Sequence, residues 1–414
     1  MELKNELVIM APIQVKKSLS PGNIYDLTLI DFYAKTRRLQ GSKIHMPLFW
    51  NVNGLPVLRM MQRENIVISN EKRKEFIDKC IQNGVIALKK HYINFDEQIR
   101  DDEISLILSD FIGAHCQSNI LKGSIPIATC KKCGSDFGTD NMIKLCKICG
   151  SPIEMQYKDI LYQEISRDEI LKRVYKINIY PIGAKKELIA FCNSMPEKYN
   201  ICLTKKREYT ITYDGFSLDP RFIVMLTPAL VQGIYSKRVY FHGDIIKKFS
   251  YYSLCHLPSK FLPTNIICHG VLLDKHGRKI KWQDHDEEVA NLFNELPPSD
   301  LRAFFLKRNV VKDVIIDFDI VKNNLREQEI LRERIDNILK YEHFSSLSVE
   351  FINLKKELLE AVNNFFYGVA YDKMVTIVKL LENKLPQKSI HPDEILFLNE
   401  LRFLYFGQYY GIKN

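Results

Sequence analysis

"LVIMAPIQVKKSLSPGNIYDLTLIDFYAKTRRLQG", residues 7–41, decides how the rest of the chain is read. Leu7-Val8-Ile9-Met10 is a short apolar run that stops at Ala11-Pro12, and it reads as a buried strand. Beyond it Leu27, Ile30, Tyr33 and Ala34 recur at helical spacing, with Gly41 as a stop. Ser20 is placed to cap that helix and Pro21 to occupy its first turn, where a missing N–H is no loss. A glycine such as Gly22 at the start of a helix after the first strand lets a nucleotide lie against the backbone, because a helix N-terminus favours phosphate. An ordinary strand-to-helix junction explains the same residues, and Gly22 has no strong acid or base beside it.

Outward from this stretch, strand, helix and strand alternate to about Pro56, which favours a parallel sheet. From Glu71 to Ile120 the segments are mainly helical, with "INFDEQIRDDEIS" as a polar connection. Short alternating runs return between about 157 and 245, and "TNIICHGVLL" reads as a buried strand. Beyond Asp284 nearly everything is amphipathic helix, as in "NNLREQEILRERIDNILKYEH" and "FINLKKELLEAVNNFF". The expected architecture is an α/β domain, interrupted by a cysteine module and closed by a helical bundle.

The chain of 414 residues has room for two or three domains, and 46% hydrophobic with 26% charged residues is a soluble, globular composition. No apolar run approaches the length of a membrane span, and "MELKNELV" lacks a secretory core, so a cytoplasmic protein with no membrane partner is expected. A net charge of +9 is compatible with a polyanionic partner but does not select one.

Of ten cysteines, Cys80, Cys116, Cys192, Cys202, Cys255 and Cys268 are scattered and read as buried reduced thiols. The others form "CKKCGSDFGTDNMIKLCKIC": Cys130 with Cys133, then Cys146 with Cys149, can present four thiolates to one tetrahedral zinc at about 2.3 Å. Gly134 and Gly150 permit the tight turn after each pair. Four protein ligands close the coordination shell, so the expected zinc is structural; an iron site or an emptied site is the alternative. In "DKHGRKIKWQD", Gly277 precedes Arg278, Lys279 and Lys281, a hinged cationic loop that suits phosphoryl or nucleotidyl chemistry and equally a solvated basic turn. Trp282 reads as a packing residue, and His45, His242 and His276 as surface or satisfied histidines.

Taken together the fragments resemble a class I aminoacyl-tRNA synthetase of the subgroup that charges methionine, leucine, isoleucine and valine. "MAPIQVKKSLSPGN" resembles the family's first strand and HIGH signature, and "RRLQGSKIHMPLFWNVNGLPV" then follows its "RMQG…GWDxxGLP" segment without a gap. "INFDEQIRDDEIS", the cysteine module, "ICLTKKREYT", "YFHGDIIKKF", "NIICHGVLLDKHGRKIKW" and "SDLRAFFL" occur in family order. Ser20-Pro21-Gly22-Asn23 stands where the family has His-x-Gly-His, and Asn51 where an aspartate holds the α-ammonium of the substrate. Asp244 matches the acidic residue of "GKDI", His269-Gly270 the adenine-side "HG", and Arg278 and Lys281 fall on the two lysines of KMSKS.

The resemblance implies a Rossmann-type catalytic domain with an inserted zinc knuckle and a C-terminal α-helical bundle. Its first half would span 1–56, a connective insertion 57–198 with the knuckle at 130–149, the second half 199–290 and an anticodon-binding-like bundle 291–414. ATP would be held by Pro12, Gly22, Asn23, Asp244, His269, Gly270, Arg278 and Lys281, with Ser20, Asn23, Arg278 and Lys281 acting in catalysis. Trp50, Asn51 and Asn53 would lie beside an amino acid or related carboxylate, activated as an acyl adenylate and passed to tRNA. Between Pro56 and Lys198 there is no room for an editing domain, which favours a specialised paralogue. Two alternatives stay open: a catalytically degenerate paralogue that binds tRNA or protein, and a ligase that passes the acyl group to a small amine.

Overall fold

A computed structural model describes residues 5–53, 55–137, 144–146, 149–204, 211–232, 235–243, 251–280, 296–341, 346–387 and 389–410. Strand β1 (Asn5–Met10) runs on into β2 (Ile13–Gln14); helix α1 (Pro21–Leu39) crosses over to β3 (Lys43–His45), which runs on into β4 (Pro47–Asn51). β1 pairs in parallel with β3, Leu7 opposite His45, and β2 with β4, Ile13 opposite Trp50. Ile13 lies six positions after Leu7 while Trp50 lies only five after His45, so one extra residue is absorbed on the β1–β2 side. The bend falls at Ala11-Pro12, where a proline cannot donate to a ladder.

Helices α2 (Leu55–Arg63) and α3 (Asn70–Lys90) lead to β5 (Glu97–Arg100), which pairs in parallel with β4. The chain then builds a long antiparallel hairpin, β6 (Leu121–Cys130) and β7 (Ile153–Ser166), in register from Leu121 opposite Tyr162 to Cys130 opposite Ile153. The four cysteines sit at its tip. After β7 come β8 (Asn178–Tyr180), β9 (Lys198–Cys202), a small hairpin of β10 (Thr212–Tyr213) and β11 (Phe216–Ser217), then β12 (Lys237–His242) and β13 (Asn265–Cys268). The central parallel sheet has the order β3-β1-β12-β13-β8.

This topology crosses the boundary drawn at 198. β8 is an edge strand of the central sheet, while β9, after the boundary, pairs with β7 in the hairpin sheet. A three-residue strand offers too few positions for a periodic signal, so its place is settled by pairing.

Both faces of the sheet are covered, as parallel sheets require. Val8 points into a core shared with α1 and the C-terminal helices; its neighbours Leu7 and Ile9 point into a second core with Leu108, Leu188 and Phe222. A short parallel pair, β14 (Leu272–Asp274) with β15 (Val314–Ile316), leads to the bundle. The bundle is the helices Pro298–Leu306, Phe318–Leu339, Val349–Asn363, Tyr367–Lys384 and Pro392–Phe406. Phe32 of α1 meets the rings of Tyr367 and Tyr405 edge-on or tilted, at 5.0 and 4.9 Å. Beneath them Asp31 takes Arg302 at 2.7 Å and Lys35 at 2.9 Å, all three buried. Burial pushes the Lys35 ammonium down to about 8, with Asp31 opposing the shift. The six scattered cysteines are buried and unbridged, and no helix among the described residues is long and apolar enough to cross a membrane.

Candidate active site

The crossover through α1 places β3 on one side of β1, and the later strands β12, β13 and β8 lie on the other. In open parallel sheets the crevice outside the carboxyl ends of the strands, at this reversal of order, is where ligands are received. The chain brings Pro12, the start of α1, Gly243 and His269-Gly270 to that edge, with Asn51 and Asp101 at the ends of β4 and β5.

At the start of α1, Ser20 and Asn23 form a capping box. The Ser20 hydroxyl accepts the Asn23 backbone N–H at 3.2 Å and donates to Asn23 Oδ1 at 2.8 Å. The two residues expected at the histidine positions of the HIGH signature are therefore tied to each other. A β-carbon on Gly22 would meet only Ser20 Oγ, at 3.8 Å, so the helix end is open to an approaching group. That is a cradle of the kind a nucleotide needs, with the positive end of a helix dipole behind it.

One turn on, Asp26 faces His269, Oδ1 lying 3.8 Å from Nδ1, while the Tyr25 ring meets the imidazole edge-on at 5.8 Å. The His269 ring also engages the Gly270 carbonyl at 2.8 Å. A β-carbon on Gly270 would lie 2.2 Å from the Lys312 carbonyl oxygen, so only glycine lets the backbone pass there. Behind these residues His242 is fully buried, and burial pushes its imidazole down to about 3, holding it neutral.

The loop after β14 is drawn tight by Asp274, which accepts the backbone N–H groups of His276 and Arg278 and pairs with the Arg278 guanidinium at 2.6 Å. Arg278 is otherwise exposed, and Gly277 takes the left-handed turn at φ +74°. β14 packs against α1, which puts this loop on the α1 side of the crevice. Asp244, Lys281 and Trp282 lie outside the described residues.

Of the residues expected beside an acyl group, Trp50 is fully buried: its indole N–H donates to Gln98 at 3.0 Å and its ring covers Gly84 of α3. Asn51 is half-buried, its Oδ1 accepting the Asn53 N–H at 3.2 Å. Asn53 is buried with its amide against the Asp101 carboxyl, which also accepts the Val52 N–H at 2.9 Å. Burial pushes Asp101 up to about 7, against the pull of those hydrogen bonds. His45 is satisfied by the Tyr235 hydroxyl at 2.6 Å, and His276 is exposed.

At the hairpin tip the ligand atoms of Cys130, Cys133, Cys146 and Cys149 all lie within 4.8 Å of one another. The Cys130–Cys149 and Cys133–Cys146 sulfurs are 3.5 and 3.6 Å apart. A tetrahedral ion with bonds of about 2.3 Å holds its sulfurs about 3.8 Å apart, so the four thiols fit one. Hydrogen bonds from Ser151 lower the Cys149 thiol to about 6, and those from Ser135 lower Cys133, favouring the ligating thiolates.

Three residues at the edge escaped the reading of the sequence. Asp26 stands three positions after Asn23 and could have been found by helical spacing. Asp101 is one of several acids in "FDEQIRDDE", and Asp274 marks a turn whose partner only the fold identifies.

Comparison with known proteins agrees with this architecture. No family model matches the sequence. Valine--tRNA ligases of Rickettsia prowazekii and Rickettsia typhi are 34% and 35% identical over 77 and 75 residues, 18% of this chain. The chain spans only about a tenth of the length of these curated relatives. Mycobacterium tuberculosis methionyl-tRNA synthetase in complex with methionyl-adenylate superimposes with a TM-score of 0.69 at 14% identity, over 97% of this chain and 89% of that one. The Agrobacterium radiobacter K84 LeuRS of a ternary complex with tRNA and LeuAMS does so at 0.77 and 10% identity, over 98% and 84%. The crevice, the hairpin insertion and the bundle are together the fold of class I aminoacyl-tRNA synthetases of the methionine, leucine, isoleucine and valine group.

Proposed function

We propose that this chain activates a carboxylate with ATP as an acyl adenylate and transfers the acyl group to tRNA. The observation that carries the reading is the junction of the open α1 start at Gly22 with His269-Gly270, joined through Asp26, at the order reversal of the sheet. Pro12, Gly22, Asn23, Asp244, His269 and Gly270 would hold the nucleotide. Arg278 and Lys281 would meet its phosphates, Arg278 by exchanging its Asp274 partner for phosphate oxygen. Ser20 and Asn23 would supply the hydrogen-bond donors of the α1 start, weaker than imidazolium; Asn51 and Asn53 would border the acyl group, with Trp50 packed behind them on α3. Zinc on the four cysteines would fix the hairpin tip without touching the chemistry.

Pyrophosphate release that depends on both ATP and an added carboxylate tests this. Ser20→His should raise the rate about 10²-fold by restoring a transition-state donor, and Lys281→Ala should slow it far more than it weakens ATP binding. Silence across amino and hydroxy acids, with and without tRNA, overturns the reading. A product assay without tRNA separates transfer to a small amine.

The Ser20–Asn23 and Asp274–Arg278 pairs favour a second reading, a degenerate paralogue that binds tRNA or protein without turnover. Tight tRNA binding that weakens steeply with salt, in a protein that binds no ATP, would establish it.

A further inference from the structure

The end of β4 presents a hydrogen-bond donor where the acyl group of the proposed reaction would lie. The backbone N–H of Asn53 can only donate, so the Asn51 side-chain atom 3.2 Å from it is the oxygen, and the carboxamide orientation is fixed. The Asn51 amino group therefore faces the other way, and it donates to nothing among the described residues. The backbone carbonyl of Asn51 is also engaged, by the Val15 N–H and by Gln14 Nε2, both at 3.0 Å.

At the two flanking strand ends the accessible acids are already paired: Asp102 and Glu103, just after β5, hold Arg100 at 3.0 and 3.3 Å. Next to β2, Lys16 is half-buried, with no hydrogen bond or ion pair among the described residues, and burial lowers its ammonium below the usual range. At the end of β5, Asp101 is 1% exposed, one oxygen on the Val52 N–H and the other sealed from solvent, with Arg73 beside it. An α-ammonium, which carries three donors and no acceptor, would face a donor, and the acids of the neighbouring strand end are either buried or already paired with Arg100. A hydroxyl or keto oxygen would accept from Asn51 Nδ2.

We propose that the acid activated here carries an oxygen acceptor on its α-carbon, as 2-hydroxy and 2-oxo acids do, in place of an ammonium group, and that Asn51 selects for it. The proposal rests on the adenylate-forming reading. In the step itself a substrate carboxylate oxygen bonds to the α-phosphorus of ATP. The bond from that phosphorus to the bridging oxygen breaks, and pyrophosphate leaves with the electron pair. The α-oxygen is a spectator held by Asn51.

The test is calorimetric titration of the full chain with matched sulfamoyl-adenosine analogues: valyl against 2-hydroxyisovaleryl, and the leucyl and methionyl pairs with their 2-hydroxy counterparts. The 2-hydroxyacyl member should bind about tenfold tighter, the size of one well-made hydrogen bond. Asn51→Asp keeps the acceptor that Asn53 needs and should invert the preference. Asn51→Leu should weaken the 2-hydroxyacyl member alone. An aminoacyl member bound as tightly as its partner by the unmodified chain overturns the proposal and leaves the adenylate reading standing. Failure of every analogue and of ATP itself overturns both.

Discussion

The cysteine tip and the carboxyl-edge crevice are both built from polar groups drawn together, yet they end in opposite states. At the tip two knuckles repeat the same turn: Cys130 N–H to Ser135 at 3.0 Å and Cys146 N–H to Ser151 at 2.8 Å, with Gly134 and Gly150 returning to the cysteine carbonyls. Four thiolates brought this close would repel one another, and a bound cation would relieve them. In the crevice the polar residues satisfy each other, Ser20 with Asn23 and Asp274 with Arg278. The tip is shaped for a metal ion, whereas the crevice residues are satisfied without a ligand and would have to give up internal bonds to take one.

Removing the metal should have the largest effect. Chelation, or Cys146→Ser, should cost on the order of 10 kcal/mol of local folding energy, read as lost zinc and protease nicking near residues 130–153 while crevice ligands still bind. Crevice binding lost together with the metal would break the contrast. Next comes Asp101. Its folded value near 7 lies above the ordinary 3.8, so the stability it allows is complete at low pH and is lost as pH rises from about 4 to about 7. Asp101→Asn should remove up to about 4 kcal/mol of that slope, measured by denaturant unfolding at pH 4 and 8. Gly270→Ala, driven against the Lys312 carbonyl, should cost about 3 kcal/mol in the same assay. Ser20→Ala, which removes one cap, should cost only about 1 kcal/mol. A much larger loss there would mean that the cap anchors the whole edge and that the two regions differ less than their geometry says.

The tip was legible because its information is local: one residue type, fixed spacing and two glycines between Cys130 and Gly150. The first strand, α1 and its Ser20 cap were legible for the same reason. β8 was not, being three residues long and recognised only by its partner β13. Nor was the role of Asp274, since a turn acid beside an arginine looks the same in sequence whether it pairs with it or faces water. Trp50 looked like a site residue from its neighbours, yet its side chain packs on α3, because alternate residues of a strand face opposite sides.

Helix α1 begins at the crevice and carries, in its middle, the buried Asp31–Arg302 bond to the bundle. Nineteen residues make a rod about 28 Å long. A one-degree tilt pivoting at its far end would swing Ser20 and Gly22 by about 0.5 Å, the whole positional tolerance of a working site. Whatever leans on the bundle therefore has mechanical leverage over the crevice, and the two cannot be tuned separately.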